Sequence, residues 1–418
     1  MNSQAPRGEI SDVACPFCGL ACDDLKIDAS DGQAKVMANG CQRSVALFRA
    51  PSLCGADQPS VDGRPTSLDD ALTRAATILT AANQPVFSGF GADVAGVRAA
   101  LQLADRVGAI IDHMNRGLSR NVAVLQDSGW VATTFAEVQN RADLVIIAGT
   151  DITRHFPRFF ERLLGSRESM LSASVPPREI IYLGVKPDAA ATPAGRFIAC
   201  SNLGEAFGAM RAVLAGWPLQ ASEAGGIPLA ELIGLLQRMR GASYGVLVWV
   251  AGDLDYPHAE LTIQSMANLV SDLNDHTRFA VLPIGGNDAD MTANQVALWQ
   301  TGFPMRTGFG SGVPIHDAQH FTCERVLASG EADALLWISA FDATRLPPPT
   351  SVATIVVGRA GMLFEKPAAV YIPIATPGIH HAGHFFRGDN VVAVRLRKLV
   401  DSPLPTVAAV LAQIESRL

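Results

Sequence analysis

Four cysteines stand close together near the start of the chain, at a spacing that suits metal binding. Cys15, Cys18, Cys22 and Cys41 follow the pattern C-x2-C-x3-C-x18-C. Four thiolates can complete the coordination of one tetrahedral Zn²⁺ or of one [4Fe–4S] cluster. The x2 and x3 gaps between the first three cysteines favour an iron–sulfur cluster, whereas zinc is the simpler metal. The alternative without metal is four buried thiols that are not linked to one another. The sequence therefore predicts four metal ligands and leaves the metal undecided.

The other cysteines are isolated, and their surroundings indicate no chemistry. Cys54, Cys200 and Cys323 have no cysteine close to them in sequence and are predicted to be small core residues. The first residues lack the apolar stretch of a signal peptide, and no apolar run is long enough for a membrane span. We therefore expect a cytoplasmic protein, in which clustered cysteines bind metal and do not form disulfides.

The composition excludes several classes of protein. The chain has 418 residues, of which 48% are hydrophobic and 17% are charged, which is typical of globular domains and not of disorder. The formal net charge of −7 argues against nucleic acid as a partner, because nucleic-acid binding needs a basic surface. A chain of this length is predicted to form two or three domains.

The elements that must carry these residues alternate between strands and helices, which predicts an α/β fold with parallel sheets. A hairpin with an Asp-Gly turn is predicted at 25–41. Further strands are predicted at 86–90, 143–149, 180–184, 244–251, 279–284, 335–339, 351–357 and 369–374. Helices are predicted at 67–83, 92–107, 203–214, 258–274 and 405–417. The predicted domains are a Cys-rich unit at 1–60, a first α/β domain at 61–218 and a second at 219–418.

Several segments together resemble one known family. They are CPFCGLACDDL at 15–25, NGC at 39–41, LQDSGWVATTFAEVQNRADLVIIAGTD at 125–151, NQVALWQTGFPM at 294–305 and PGIHHAGHFFRGDNVVAVRL at 377–396. In this order they resemble the B subunit of formylmethanofuran dehydrogenase, a member of the molybdopterin oxidoreductase superfamily. The resemblance implies domains I–III of the formate-dehydrogenase and DMSO-reductase type, with Rossmann-like parallel sheets and a small Cys-rich unit.

Three segments depart from that family at its reaction centre. Members carry a metal-ligating cysteine followed by histidine eight residues before the LQD-type segment, where this chain has Gly117 and Leu118. Ser119 lies two positions away and could ligate only if the loop shifted. Where members commonly have Arg-Gly-His, this chain reads Gly-Gly-Asn at 285–287, and an Asp-x-Arg-Thr-like segment is replaced by GVKPD at 184–188. The ligand, the acid–base group and the cation of a redox centre are thus all missing.

The departures resemble the version of the protein found in aerobic methylotrophs. That resemblance implies a non-catalytic structural subunit of a formyltransferase/hydrolase complex in one-carbon metabolism. Such a complex converts formyl-tetrahydromethanopterin to formate through a methanofuran-type carrier, with its catalytic centres on other subunits. No catalytic or cofactor-binding residue and no molybdenum- or tungsten-pterin are then expected in this chain. The rival hypotheses are a catalytic molybdenum or tungsten subunit and a stand-alone electron-transfer protein.

Two histidine-bearing segments are weaker candidates. His380, His381 and His384 crowd one loop and could bind a metal, although a polar surface or interface loop is the simpler interpretation. His155, between two arginines, follows a predicted strand, where α/β proteins bind anions. Without a pterin, a salt-bridged turn is the expected role of that segment.

Overall fold

The chain forms two compact units. The structure, a computed structural model, describes residues 8–49, 58–165, 170, 177–189 and 191–418. One unit contains the described residues up to Asn115 together with Gly286–Leu418, and the other contains those of Arg116–Gly285. Within these ranges, no helix is long and apolar enough to cross a membrane.

The strands are short, and most of the longer ones are buried along their whole length. They are β1 Glu9–Val13, β2 Leu25–Asp28, β3 Lys35–Ala38, β4 Ser60–Val61, β5 Arg64–Pro65, β6 Pro85–Gly91, β7 Ile110–Ile111, β8 Leu144–Ala148, β9 Glu179–Leu183, β10 Arg196–Ile198, β11 Glu223–Ala224, β12 Ile227–Pro228, β13 Gly245–Trp249, β14 Phe279–Pro283, β15 Thr307–Gly308, β16 Ile315–His316, β17 Ala334–Ser339, β18 Ala353–Arg359, β19 Val370–Ile374, β20 Gly383–Phe386 and β21 Ala393–Leu396.

The helices connect these strands and cover the sheets. They are α1 Gln42–Phe48, α2 Leu68–Ala81, α3 Val94–Val107, α4 Leu118–Asp127, α5 Phe135–Arg141, α6 Ile152–His155, α7 Leu203–Leu214, α8 Leu229–Gly241, α9 Ala259–Leu273, α10 Asp290–Thr301, α11 Cys323–Ala328 and α12 Val407–Glu415. A π-helical turn at Phe160–Leu164 and a 3₁₀ turn at Asn287–Ala289 complete them.

The first unit is built on a nine-stranded sheet with the order β16-β15-β7-β6-β17-β18-β19-β4-β5. Strands β7, β6, β17, β18 and β19 are parallel, as the alternation of strands and helices predicts. The core between this sheet and helices α2, α3, α10 and α12 includes Phe87, Leu336 and Ile372, all fully buried. Antiparallel β1, β2 and β3 form a separate small sheet in this unit, and β2 and β3 are the predicted hairpin.

The second unit is built on a five-stranded parallel sheet with the order β10-β9-β8-β13-β14. The chain adds strands to one side of β8 and then crosses to add β13 and β14 on the other side. Ligands of open α/β sheets bind beyond the carboxyl ends of the strands where the order reverses, here between β8 and β13. The segments that leave these two strands therefore decide what this edge can hold.

Local sequence signals set the ends of the predicted helices. Helix α2 begins after Ser67, whose Oγ accepts a hydrogen bond from the Asp70 backbone N–H at 3.1 Å. Helix α3, predicted from residue 92, begins at Val94, because the Asp93 carboxylate caps it. It ends at Gly108, whose φ of 69° stops the helix, and β7 follows at Ile110–Ile111.

The compact units cut across the domain boundaries predicted from sequence. Strands β8 to β10 belong to the predicted first α/β domain, and β13 and β14 to the predicted second, yet all five form one sheet. In the same way, β6 from the first domain pairs with β17 from the second. The residues predicted as a Cys-rich unit, where described, lie in the first compact unit. The hydrogen bonds of both sheets thus join segments that are far apart in the sequence.

Candidate functional site

The cysteine loop lies between β1 and β2 in the first unit. Cys15, Cys18 and Cys22 are buried and Cys41 is half-buried, and all four are free thiols. The Cys15 N–H donates to the Cys22 carbonyl at 2.8 Å, which closes the loop. Cys41 is the N-cap of α1, and its Sγ accepts a hydrogen bond from the Ser44 N–H at 3.5 Å. The Cys41 thiol raises the pKa of both Cys15 and Cys18, so the fold brings the fourth cysteine close to these two.

The thiols are close enough to influence one another electrostatically. Burial raises the pKa of Cys15 well above its usual value, and the neighbouring Cys18, Cys22 and Cys41 thiols raise it further. Burial also raises the pKa of Cys18, while backbone N–H groups and the Arg43 cation lower it. These donors would stabilise thiolates, which are the form that binds metal.

The donor set suits a soft metal, but the conformation alone does not establish a metal site. Among the described residues, no group of three or more His, Cys, Asp or Glu side chains is placed to hold a metal ion. The assignment of the four cysteines as metal ligands therefore stays a prediction. Of the isolated cysteines, Cys323 is buried, which raises its pKa to about 12. Cys200 is half-buried, and Cys54 lies outside the described residues.

Gly117 occupies the position at which relatives are expected to carry a metal ligand, and no side chain fits there. It is the N-cap of α4 in the second unit. A Cβ built on Gly117 would lie 2.4 Å from the Cα and 2.6 Å from the N of Gly252, just beyond the carboxyl end of β13. The Ser119 hydroxyl donates its proton to the Arg116 carbonyl at 2.7 Å. The space for a ligand is therefore filled by backbone.

The second segment that departs from the family, Gly-Gly-Asn at 285–287, also lies where two stretches of backbone approach closely. Gly286 has a φ of 98°, and a Cβ on it would lie 2.5 Å from the Cα of Gly19 and 3.2 Å from the Cα of Gly388. Three glycines of the first unit thus meet, each from a different segment. The Asn287 side chain accepts from Arg43 at 3.4 Å. This arrangement holds the cysteine loop against the segment that precedes α10.

The third departure forms a turn after β9. Gly184 has a φ of 87° and donates its N–H to the Ile198 carbonyl at 2.9 Å, which directs the chain towards β10. Lys186 is exposed, and Asp188 ends the turn by accepting from the Ala191 N–H at 3.1 Å through its carbonyl. These contacts are those of a structural turn.

A buried polar network follows the Gly286 junction, and the sequence interpretation missed it. Burial raises the pKa of Asp290 to about 7, and its carboxylate accepts from the Gly286 N–H at 2.5 Å and from Asn115 at 3.1 Å. Burial lowers the pKa of His113 to about 3, and its Nδ1 accepts from the Asn115 N–H at 2.9 Å. Arg345 forms an ion pair with Asp288 at 3.1 Å. Two aspartates, four and six residues after the predicted strand at 279–284, were the available signal.

The segment after β8 forms the salt-bridged turn predicted for it. His155 Nε2 lies 2.8 Å from Asp253 Oδ1, and Thr150 donates to the other carboxylate oxygen. Burial opposes ionisation of Asp253, but the hydrogen bonds from His155 and Thr150 outweigh it and lower the pKa. Arg158 binds Glu161 through two nitrogens, at 2.9 and 2.5 Å. The charged side chains that follow β8 and β13 in the second unit thus form hydrogen bonds and ion pairs with one another.

The three clustered histidines have separate environments. His380 Nδ1 accepts from the Thr376 N–H at 3.0 Å, and burial lowers the pKa of this imidazole to about 4. His381 Nδ1 lies 2.9 Å from the Ala382 carbonyl, and His384 is exposed on β20. Among the described residues no three of these side chains converge as metal ligands. His384 is exposed, whereas His380 and His381 are half-buried and contact the backbone of their own loop.

Comparison with known proteins identifies the family. No family model matches the sequence. The chain is 30% identical over 366 residues to the B subunit of the formyltransferase/hydrolase complex Fhc of Methylorubrum extorquens, covering 86% of this chain and 97% of that protein. The chain belongs to the B-subunit family of formylmethanofuran dehydrogenases and formyltransferase/hydrolase complexes. The resemblance to this family is thereby confirmed.

Other members of the B-subunit family, and solved structures, agree. The chain is 28% identical to the B subunit of the tungsten-containing formylmethanofuran dehydrogenase 2 of Methanocaldococcus jannaschii, over 94% of each chain. The crystal structure of the Methylorubrum extorquens formyltransferase/hydrolase complex with methylofuran matches with a TM-score of 0.74 and 29% identity, over 86% of this chain and 98% of that one. Acetylene hydratase from Pelobacter acetylenicus matches at a TM-score of 0.69 and 11% identity, over 98% of this chain and 69% of that one. The fold is therefore that of the molybdopterin oxidoreductases, as predicted.

Proposed function

We propose that this chain is a non-catalytic structural subunit of a formyltransferase/hydrolase complex. The complex would convert formyl-tetrahydromethanopterin to formate through a methanofuran-type carrier, within one-carbon metabolism in the cytoplasm. Its partners would be the other subunits, which would carry the catalytic centres. Support comes from the 30% identity to the corresponding Fhc protein and from a solved relative that is a complex with bound methylofuran.

The close contact between Gly117 and Gly252 is the observation that carries the non-catalytic role. Molybdenum and tungsten centres of this superfamily take a protein ligand at the position of Gly117, and soft metals prefer thiolate there. A Cβ at this position would lie 2.4 Å from the Gly252 Cα, so the loop is packed for glycine alone. Loss of a reaction-centre group typically lowers the rate by orders of magnitude. Gly285 and Asn287, where the family resemblance implies the arginine and the histidine of an Arg-Gly-His segment, also argue against a redox centre.

Purification of the chain with its partner subunits tests the proposal. We expect the complex to release formate from formyl-tetrahydromethanopterin and to contain no stoichiometric molybdenum or tungsten. The rival is a catalytic subunit with a molybdenum- or tungsten-bound pterin, and the similarity to the B subunit of a tungsten-containing formylmethanofuran dehydrogenase is the observation behind it. About one molybdenum or tungsten per chain, with formylmethanofuran oxidation by an added electron acceptor, would establish the rival and remove the structural role.

We also propose that Cys15, Cys18, Cys22 and Cys41 hold a structural [4Fe–4S] cluster or Zn²⁺. Four soft donors suit either group, and backbone N–H groups partly offset the rise in pKa that burial causes at Cys15 and Cys18. Elemental analysis of anaerobically purified complex and its visible absorption distinguish the two. Replacement of Cys15 and Cys41 together by serine should abolish the metal and lower the melting temperature. The matched control is Cys323→Ser, which should leave the metal content unchanged.

A further inference from the structure

Strands β20 and β21 form a hairpin with two unlike faces. Phe385 and Leu396 are fully buried and belong to the inner face, which packs into a small core. Because side chains alternate along a strand, the neighbouring cross-strand pairs lie on the outer face. They are His384 opposite Arg395 and Phe386 opposite Ala393. All of these residues belong to the first unit.

The outer face is basic at one end. His384 and Arg395 are exposed and directly opposite one another, and within the described part of the chain neither forms an ion pair. Arg397 is exposed two positions further along, and its guanidinium donates to the Ser11 carbonyl at 3.3 Å. Of the four Lys and Arg at 384–398, Arg387 pairs with Asp389 at 2.6 Å and Lys398 pairs with Asp401 at 2.5 Å. Arg395 and Arg397 form no ion pair among the described residues, so they supply the positive charge of this face.

The other end of the same face is apolar. Trp299 from α10 packs its ring edge against Phe386, with the ring centroids 5.3 Å apart, yet 58% of Trp299 is exposed. Leu298, Val391 and Val392 are exposed as well. The segment 291–305, which includes most of α10, has no charged residue. Exposed apolar side chains that adjoin one another mark interaction surfaces more often than isolated ones do.

The combination of an exposed apolar patch with a basic end fits a protein partner better than a small molecule. A two-stranded hairpin offers no concave pocket of the kind that encloses small ligands. Tryptophan and arginine are the residue types that contribute most to binding at protein interfaces, typically with apolar anchors at the centre and charges at the rim. A basic rim on an acidic chain is complementary to carboxylates of the partner, which would speed association.

We propose that the outer face of the β20–β21 hairpin, together with Trp299, binds one of the other subunits of the complex. The docking surface of that subunit would present an apolar pocket for Trp299 and carboxylates opposite Arg395 and Arg397. This inference rests on the proposed function, because it requires that the chain works within a complex. It adds which surface of the chain makes the contact and what chemistry the contacting subunit offers.

Binding measurements between this chain and the co-expressed remaining subunits test the inference. We expect Trp299→Ser to weaken binding at least about 30-fold, as loss of a central interface residue does. Arg395→Glu should weaken it about tenfold at low salt, mainly through slower association, with a smaller effect at high salt. The matched controls are Leu363→Ser, at a residue that is 70% exposed, and Arg74→Glu on α2, and both should bind like wild type.

The outcomes separate the two proposals. If the wild-type chain binds the other subunits and both Trp299→Ser and Arg395→Glu bind equally well, the docking surface is wrong and the proposed function stands. If the wild-type chain binds none of them, the proposed function fails and this inference fails with it. Arg395→Glu keeps the test decisive even if Trp299→Ser lowers the melting temperature, because Arg395 is exposed and makes no ion pair among the described residues.

Discussion

Replacement of Gly117 by alanine tests directly whether the ligand position is packed shut. An ordinary Cβ contact lies at 3.4–4 Å, but here the added carbon would meet backbone atoms of Gly252 at 2.4 and 2.6 Å and of Ala251 at 3.1 Å. Gly117 itself has a φ of −59°, so alanine is not strained by its own backbone and the whole cost is steric. Overpacking costs about 1–3 kcal/mol, and a clash with backbone belongs at the upper end.

The expected loss of about 3 kcal/mol corresponds to a fall in Tm of about 6–12 °C for a unit of this size. Differential scanning calorimetry measures it, with Gly208→Ala as the matched control. Gly208 lies within α7, and a Cβ there meets nothing within 4 Å, so alanine should raise the stability by about 0.5–1 kcal/mol. If Gly117→Ala melts within about 2 °C of wild type, the loop has room for a side chain and the argument from packing is wrong.

Three further changes have defined outcomes. Gly286→Ala should cost about 3 kcal/mol in urea unfolding, because alanine is strained at a φ of 98° and also clashes with a neighbouring backbone. Burial raises the pKa of Asp290 to about 7, so its protonated carboxyl stabilises the fold below about pH 4, and this contribution is lost as the pH rises to about 7. The unfolding free energy of wild type minus that of Asp290→Asn should therefore fall as the pH rises over that range. A constant difference would contradict the raised pKa. Arg359→Met should lower the unfolding free energy by about 3 kcal/mol, because it leaves the Phe341 and Leu47 carbonyls without their buried donor, whereas a loss under about 1 kcal/mol would show that water replaces it.

Local elements were predictable from the sequence because their signals are local. The continuous apolar runs of β8 and β13 mark strands buried on both faces. Ser67 supplied the start of α2, and the Asp-Gly pair supplied the turn of the β2–β3 hairpin. Recognition of the family added the order of the domains and the position at which a metal ligand is missing.

Contacts between distant segments were not predictable from local patterns. The pairing of β6 with β17 has no local signal, because it joins two segments that are far apart in the sequence. The sequence shows glycine at 117 but cannot show that Gly252 fills the adjoining space. The network around Asp290 depends on Asn115, which lies 175 positions away, so its burial and raised pKa emerge only from the fold.

The sheet of the first unit imposes an order of events during synthesis. The Asn83 N–H, just before β6, donates to the Asp333 carboxylate, just before β17, and these residues are 250 positions apart. At translation rates of about 5–20 residues per second, β6 leaves the ribosome roughly 12–50 s before its neighbour exists. The buried edge of β6 must therefore stay unpaired, or be shielded by a chaperone, while the residues of the second unit emerge. Aggregation of truncated nascent chains is the hazard that this topology creates, and expression at low temperature with added chaperone should relieve it.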